Sequence, residues 1–140
     1  MRADRLPDTE NALVLRTDFT DDRAWEAIRA AIEAPHDDFM AYVEFVSAKE
    51  FEGATVDQLL ALQRNSNYRS YMFVVDHAAM FSADRPILVI DFVDEPGSTF
   101  RVVPSHMWSV ENNLSLANLD FRDFAESAGK DGIFRGFPEA

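Results

Sequence analysis

The chain has 140 residues, 47% of them hydrophobic and none of them cysteine. It can therefore fill a core but cannot build a disulfide frame, a zinc ribbon, an iron–sulfur site or a thiol nucleophile. Its 13 Lys and Arg against 25 Asp and Glu give a formal net charge of −12, which argues against nucleic acid or an anionic membrane surface as a partner. The charge is not segregated: residues 1–70 carry 8 basic and 14 acidic side chains and residues 71–140 carry 5 and 11, so each half contributes −6.

Ala12 to Thr17 reads as a first strand, apolar on both faces up to Arg16, which suits a central place in a sheet. Thr20, Asp21 and Asp22 supply cap chemistry for a helix that carries Trp25, Ile28 and Ile32 on one stripe and stops before Pro35. Phe39 to Ser47 predicts a second strand. Thr55-Val56-Asp57-Gln58 predicts a capping box opening a helix through Leu62. Ser70 to Asp76 and Ile87 to Val93 predict two further central strands. A turn at Asp94–Ser98 then leads to a fifth strand, Thr99 to Val103. The stretch His77–Pro86 is short for a parallel crossover, so the direction of the fourth strand stays open. A helix is expected from His106 to about Ala117 with Asn118 as its cap, then another from Asp120 through Ala125, ended by Gly129.

The fold class expected from this pattern is α+β or α/β: one mixed sheet of about five strands, order βαβαβββαα, with helices packed on it. It makes one domain over residues 1–140, with an extended arm over residues 1–11 and an apolar tail over residues 130–140 that docks on the body. The N-terminus has no apolar leader and no apolar run approaches bilayer length, so the expected compartment is the cytoplasm.

Candidate chemistry concentrates at strand ends. Asp18 follows the first strand, Asp76 ends the third, and Asp91 lies near the end of the fourth. Parallel neighbouring strands one and three would bring Asp18 and Asp76 together on a carboxyl edge, where open sheets bind ligands and where paired carboxylates could hold Mg²⁺. Arg16 and Arg101 could then meet an anionic substrate. The pattern is superficially similar to a receiver domain, but Asp91-Phe92-Val93 replaces the expected Ser or Thr and no strand-five Lys follows. A second group, Trp108, Glu111 and Asn112, lies on the third expected helix and could line a ligand pocket. Each group also has a plainer assignment, as caps, turns and salt bridges for the carboxylates and as a loop brace for the asparagine. His77 beside Asp76 could be an oriented base, although adjacent strand residues point to opposite faces. No histidine zinc spacing, G-x-S-x-G, G-x-G-x-x-G or P-loop occurs, so no catalytic motif assigns an enzyme.

Four segments carry a resemblance: L-P-D-T-E-N-A-L-V-L-R-T-D-F at 6–19, F-R-V-V-P at 100–104, W-S-V-E-N-N-L-S-L-A-N at 108–118 and G-I-F-R-G-F at 132–137. Across nearly its whole length the chain resembles an actinobacterial domain family of unknown function. The resemblance implies a stand-alone bacterial intracellular protein and brings no catalytic residues. The resulting expectation is a non-catalytic protein-binding or inhibitor- or immunity-like module, with a basic protein as partner and no cofactor. The alternative is a small enzyme or anionic-ligand-binding protein using Asp18 and Asp76, with Mg²⁺. The oligomeric state is left open.

Overall fold

The computed structural model describes residues 1–138; the last two positions of the expected tail lie outside the described residues. A six-stranded mixed sheet runs in the order β2-β1-β3-β4-β5-β6. Its strands are β1 (Ala12–Arg16), β2 (Val43–Val46), β3 (Tyr71–Val75), β4 (Ile87–Asp91), β5 (Thr99–Val102) and β6 (Ile133–Phe134). The helices are α1 (Asp22–Glu33), α2 (Val56–Gln63), α3 (His77–Phe81), α4 (Met107–Ser115) and α5 (Phe121–Ser127). The sheet has one strand more than the sequence pattern predicts, and α3 and β6 are the added elements.

β1 pairs in parallel with both β2 and β3, which accounts for its apolar character on both faces. The chain steps from β1 to β2 in one direction and from β2 back across β1 to β3 in the other. Right-handed crossovers then place α1 and α2 on opposite faces. On the α1 face Trp25, Ile28 and Ile32 pack with Phe73, Val89, Met107 and Phe124. On the α2 face Leu59 and Leu62 pack with Leu13, Leu15, Met72, Val74 and Phe51. The N-terminal arm reaches this second layer. Leu6 is fully buried in it, its N–H donates to Ser66 Oγ, and the Arg2 and Ala3 amides donate to the Glu50 carbonyl.

The direction left open is settled: β4 runs antiparallel to β3 and to β5. Asp76 caps the single turn of α3 by accepting from the Ala79 N–H at 3.1 Å, so the short His77–Pro86 link turns back instead of crossing over. β2 begins at Val43 rather than Phe39. A positive φ of 56° at Asp37 and a bridge between His36 and Phe39 bend the preceding residues out of the sheet. α4 stops at Ser115, and Ala117, not Asn118, takes the left-handed conformation at φ 56°. The Arg101 N–H donates to the Gly132 carbonyl as Ile133 and Phe134 join β5 in parallel register.

Candidate functional site

The carboxyl edge of β1 and β3 is the point where successive connections leave in opposite directions, and Asp18 and Asp76 both stand there. They turn to different partners. Asp18 accepts from the Thr20 hydroxyl at 2.6 Å and the Thr20 N–H at 2.9 Å, and its other oxygen lies 2.9 Å from His77 Nδ1. Burial acts to raise its pKa, but the Thr20 and His77 hydrogen bonds outweigh it and hold the carboxyl below the usual value. Asp76 holds Arg101 in a two-point contact at 2.9 and 2.7 Å, while Arg101 also donates to the Pro86 carbonyl. The two carboxylates expected to hold a metal are each engaged instead by N–H, O–H or guanidinium groups of the chain. Among the described residues no group of three or more His, Asp or Glu side chains is placed to hold a metal ion. His77 pairs with Asp18 rather than with its neighbour Asp76, because Asp76 is the cap and His77 the first residue of α3.

Arg16 and Arg101 do not converge. Arg16 shares the face of Val14, beneath α1, whereas Arg101 alternates with Phe100 and Val102 and so lies on the opposite face. Arg16 is 3% exposed; it donates to the Asp18 carbonyl at 2.7 Å and to Asp22 at 2.8 Å and lies over the rings of Phe19 and Trp25. Asp91 does not stand with Asp18 and Asp76. Because β4 is antiparallel, Asp91 stands at the opposite sheet edge, where it accepts from the Val93 and Glu95 amides and shapes the β4–β5 turn. It lines a cleft of about 440 Å³ together with Asp94, Glu95, Asp120 and Glu126, with Arg122 as the one basic residue.

Trp108, Glu111 and Asn112 clamp the segment leading into β2. Trp108 stacks on Phe39 with ring centroids 4.3 Å apart. Asn112 Nδ2 donates to the Met40 carbonyl at 3.2 Å, and the buried Glu111 carboxylate accepts from the Tyr42 N–H at 2.6 Å. Tyr71, behind this clamp, bonds Ser115 Oγ at 2.9 Å; burial and the nearby Glu111 push its phenol well above the ordinary value. The clamp holds apolar side chains outward: Phe39, Met40 and Tyr42 are 50%, 43% and 60% exposed. They border the free side of β2, and Met40, Tyr42 and Phe45 line a shallow groove of about 510 Å³ with Arg29 and Glu33 of α1. Sequence reasoning missed this surface because it placed Phe39 and Tyr42 inside a strand. The available signal was Asp37-Asp38, a turn pair directly before them.

Fold and site together define a small acidic mixed α/β protein with an internally neutralised strand edge and a braced, exposed apolar segment beside an open one. Residues 11–137 match the model of a family described as a domain of unknown function (DUF6924), and the chain belongs to that family. No curated protein matches the chain. No helix among the described residues is long and apolar enough to cross a membrane.

Proposed function

We propose that the chain is a non-catalytic protein-binding module, comparable to small acidic inhibitor or immunity proteins, whose partner presents a basic surface. The observation that carries this reading is the braced segment. Phe39, Met40 and Tyr42 are exposed, yet the backbone from 40 to 42 is tied to α4 by two side-chain hydrogen bonds and a ring stack. Apolar groups held outward on a fixed backbone bind with little further loss of conformational freedom. The charge of −12 would steer a basic partner toward the chain.

The carboxylate-site alternative has less behind it. At that edge His77 is oriented by Asp18 as a base would be, but its side chain is 78% exposed. A photo-reactive residue at position 42, compared with one at position 126 on the far side, tests the binding reading in the native host. Selective capture from position 42 of a protein with a basic contact surface, abolished by Met40→Asp, is the expected result. Equal capture from both positions, or capture of acidic proteins only, would sink it.

A further inference from the structure

We propose that the partner engages as a basic, extended segment that adds as a seventh strand to the free side of β2; this rests on the binding reading above and specifies its mode. Among the described residues β2 ends the sheet and pairs only with β1, so its outward N–H and C=O groups face no strand there. Edges in stable proteins are commonly blunted by Pro, Lys, a bulge or shortness. Phe39–Ser47 contains neither Pro nor Lys. The opposite end of the sheet is blunted: β6 is two residues long. β2 pairs with β1 in unbroken register from Val43 to Val46, so no bulge bends it away.

Charge decides the occupant. Glu33, Glu44 and Arg29 line the groove at this edge, Asp37 and Asp38 stand exposed in the turn that leads into it, and Lys49 follows it in the chain. Arg29 and Glu33 neutralise each other at 3.0 Å, with Arg29 over the Phe45 ring at 5.1 Å, and Glu44 accepts from the Asn11 N–H, so the acidic excess at this edge rests on the exposed Asp37 and Asp38. An added strand points alternate side chains to each face. On the α1 face they meet Met40, Phe45 and the aliphatic part of Arg29, and toward the Asp37–Asp38 turn they meet exposed carboxylates. A strand alternating aliphatic and cationic residues fits both demands. A second copy of this chain fits neither, because it would bring two acidic edges of two −12 molecules together.

The probe is a blocked peptide, Lys-Val-Lys-Val-Lys-Val-Lys, with the Glu-for-Lys peptide as comparator, added to the full chain while backbone amide exchange is followed by NMR. The lysine peptide is expected to slow exchange of the outward β2 amides by about tenfold or more at saturation, and the glutamate peptide to leave them unchanged. Asp37→Lys with Asp38→Lys, two exposed turn positions, should weaken the effect by about tenfold. Protection by the lysine peptide at the Asp94–Asp120 cleft instead of β2 overturns strand addition but leaves a basic partner standing. No protection anywhere overturns both. Protected β2 amides in the free chain, with a dimer in sedimentation, would assign the edge to a second copy and overturn the proposal.

Discussion

Arg16 shows how a side chain that cannot lose its charge is housed beneath a helix. Its guanidinium is closed in by two rings, a backbone carbonyl, Ser47 and Asp22, and the Asp22 carboxylate itself is 87% exposed. The packing therefore matters more than the ion pair. Arg16→Ala should cost about 2–4 kcal/mol in urea unfolding, by opening a void and stripping the Asp18 carbonyl of its donor. Asp22→Ala should cost under about 1 kcal/mol, since the pair is screened on its outer side. That Arg16 needed partners is readable in its apolar surroundings; which partners it found depends on where α1 lands. His106 gives a pH prediction. Burial, then the proximity of His36, lowers its pKa below the ordinary 6.5, in a cleft that also holds Asp84, Arg85 and Arg135. The unfolded chain takes up this proton at higher pH than the folded one, so the contribution is intact above about 6.5 and is lost as pH falls toward the folded value. The thermal midpoint should drop between pH 7 and pH 5, and His106→Gln should flatten that drop. Asp18, whose pKa is also lowered, acts in a separate window below its ordinary 3.8.

At the scale of elements, the caps were the most legible feature of the chain. The Thr55–Gln58 box forms in both directions, Asp21 accepts from the Ala24 N–H, and the Asp120 N–H donates to Asp123. These are local contacts, fixed by spacing of three residues. What escaped was decided at a distance. α3 is one turn of five residues with no periodicity to detect, and β6 is a strand only because β5 offers an edge to Ile133 and Phe134. Asp76 joins both kinds of interaction, since it caps α3 and holds Arg101 across β4. Asp76→Ala should cost about 2 kcal/mol by removing both roles. Asp76→Asn keeps an acceptor for the Ala79 amide and should cost about half as much, a difference measurable as a shift in urea midpoint. The same reasoning explains Asp91, whose neighbours in sequence looked like a site while its side chain was committed to the turn at Val93 and Glu95.

Across the whole molecule, the mixed sheet could be read from apolar runs and connection lengths. Strand order beyond that could not, because it hinges on one ambiguous link of ten residues and on which edge the tail reaches. The distributed charge has a global consequence: 25 acidic against 13 basic side chains repel one another in the compact state. Raising ionic strength from about 0.01 to 0.3 M should therefore raise the thermal midpoint in calorimetry, with most of the change at the low end where screening lengths are longest. The N-terminal arm has another kind of consequence. Leu6 sits outside the family match at 11–137, yet it is fully buried against a layer built from α2, β3 and β4. During synthesis it leaves the ribosome well before its partners, and its seat is completed only once Leu88 and Ile90 have emerged. The arm must wait, solvated, for more than half of the chain, and it closes the α2 layer as a late step. A chain started at residue 11 would never make that step. It should bind a hydrophobic dye such as ANS, and should unfold at lower urea than the full chain, by about the 2–4 kcal/mol that an unfilled leucine seat costs.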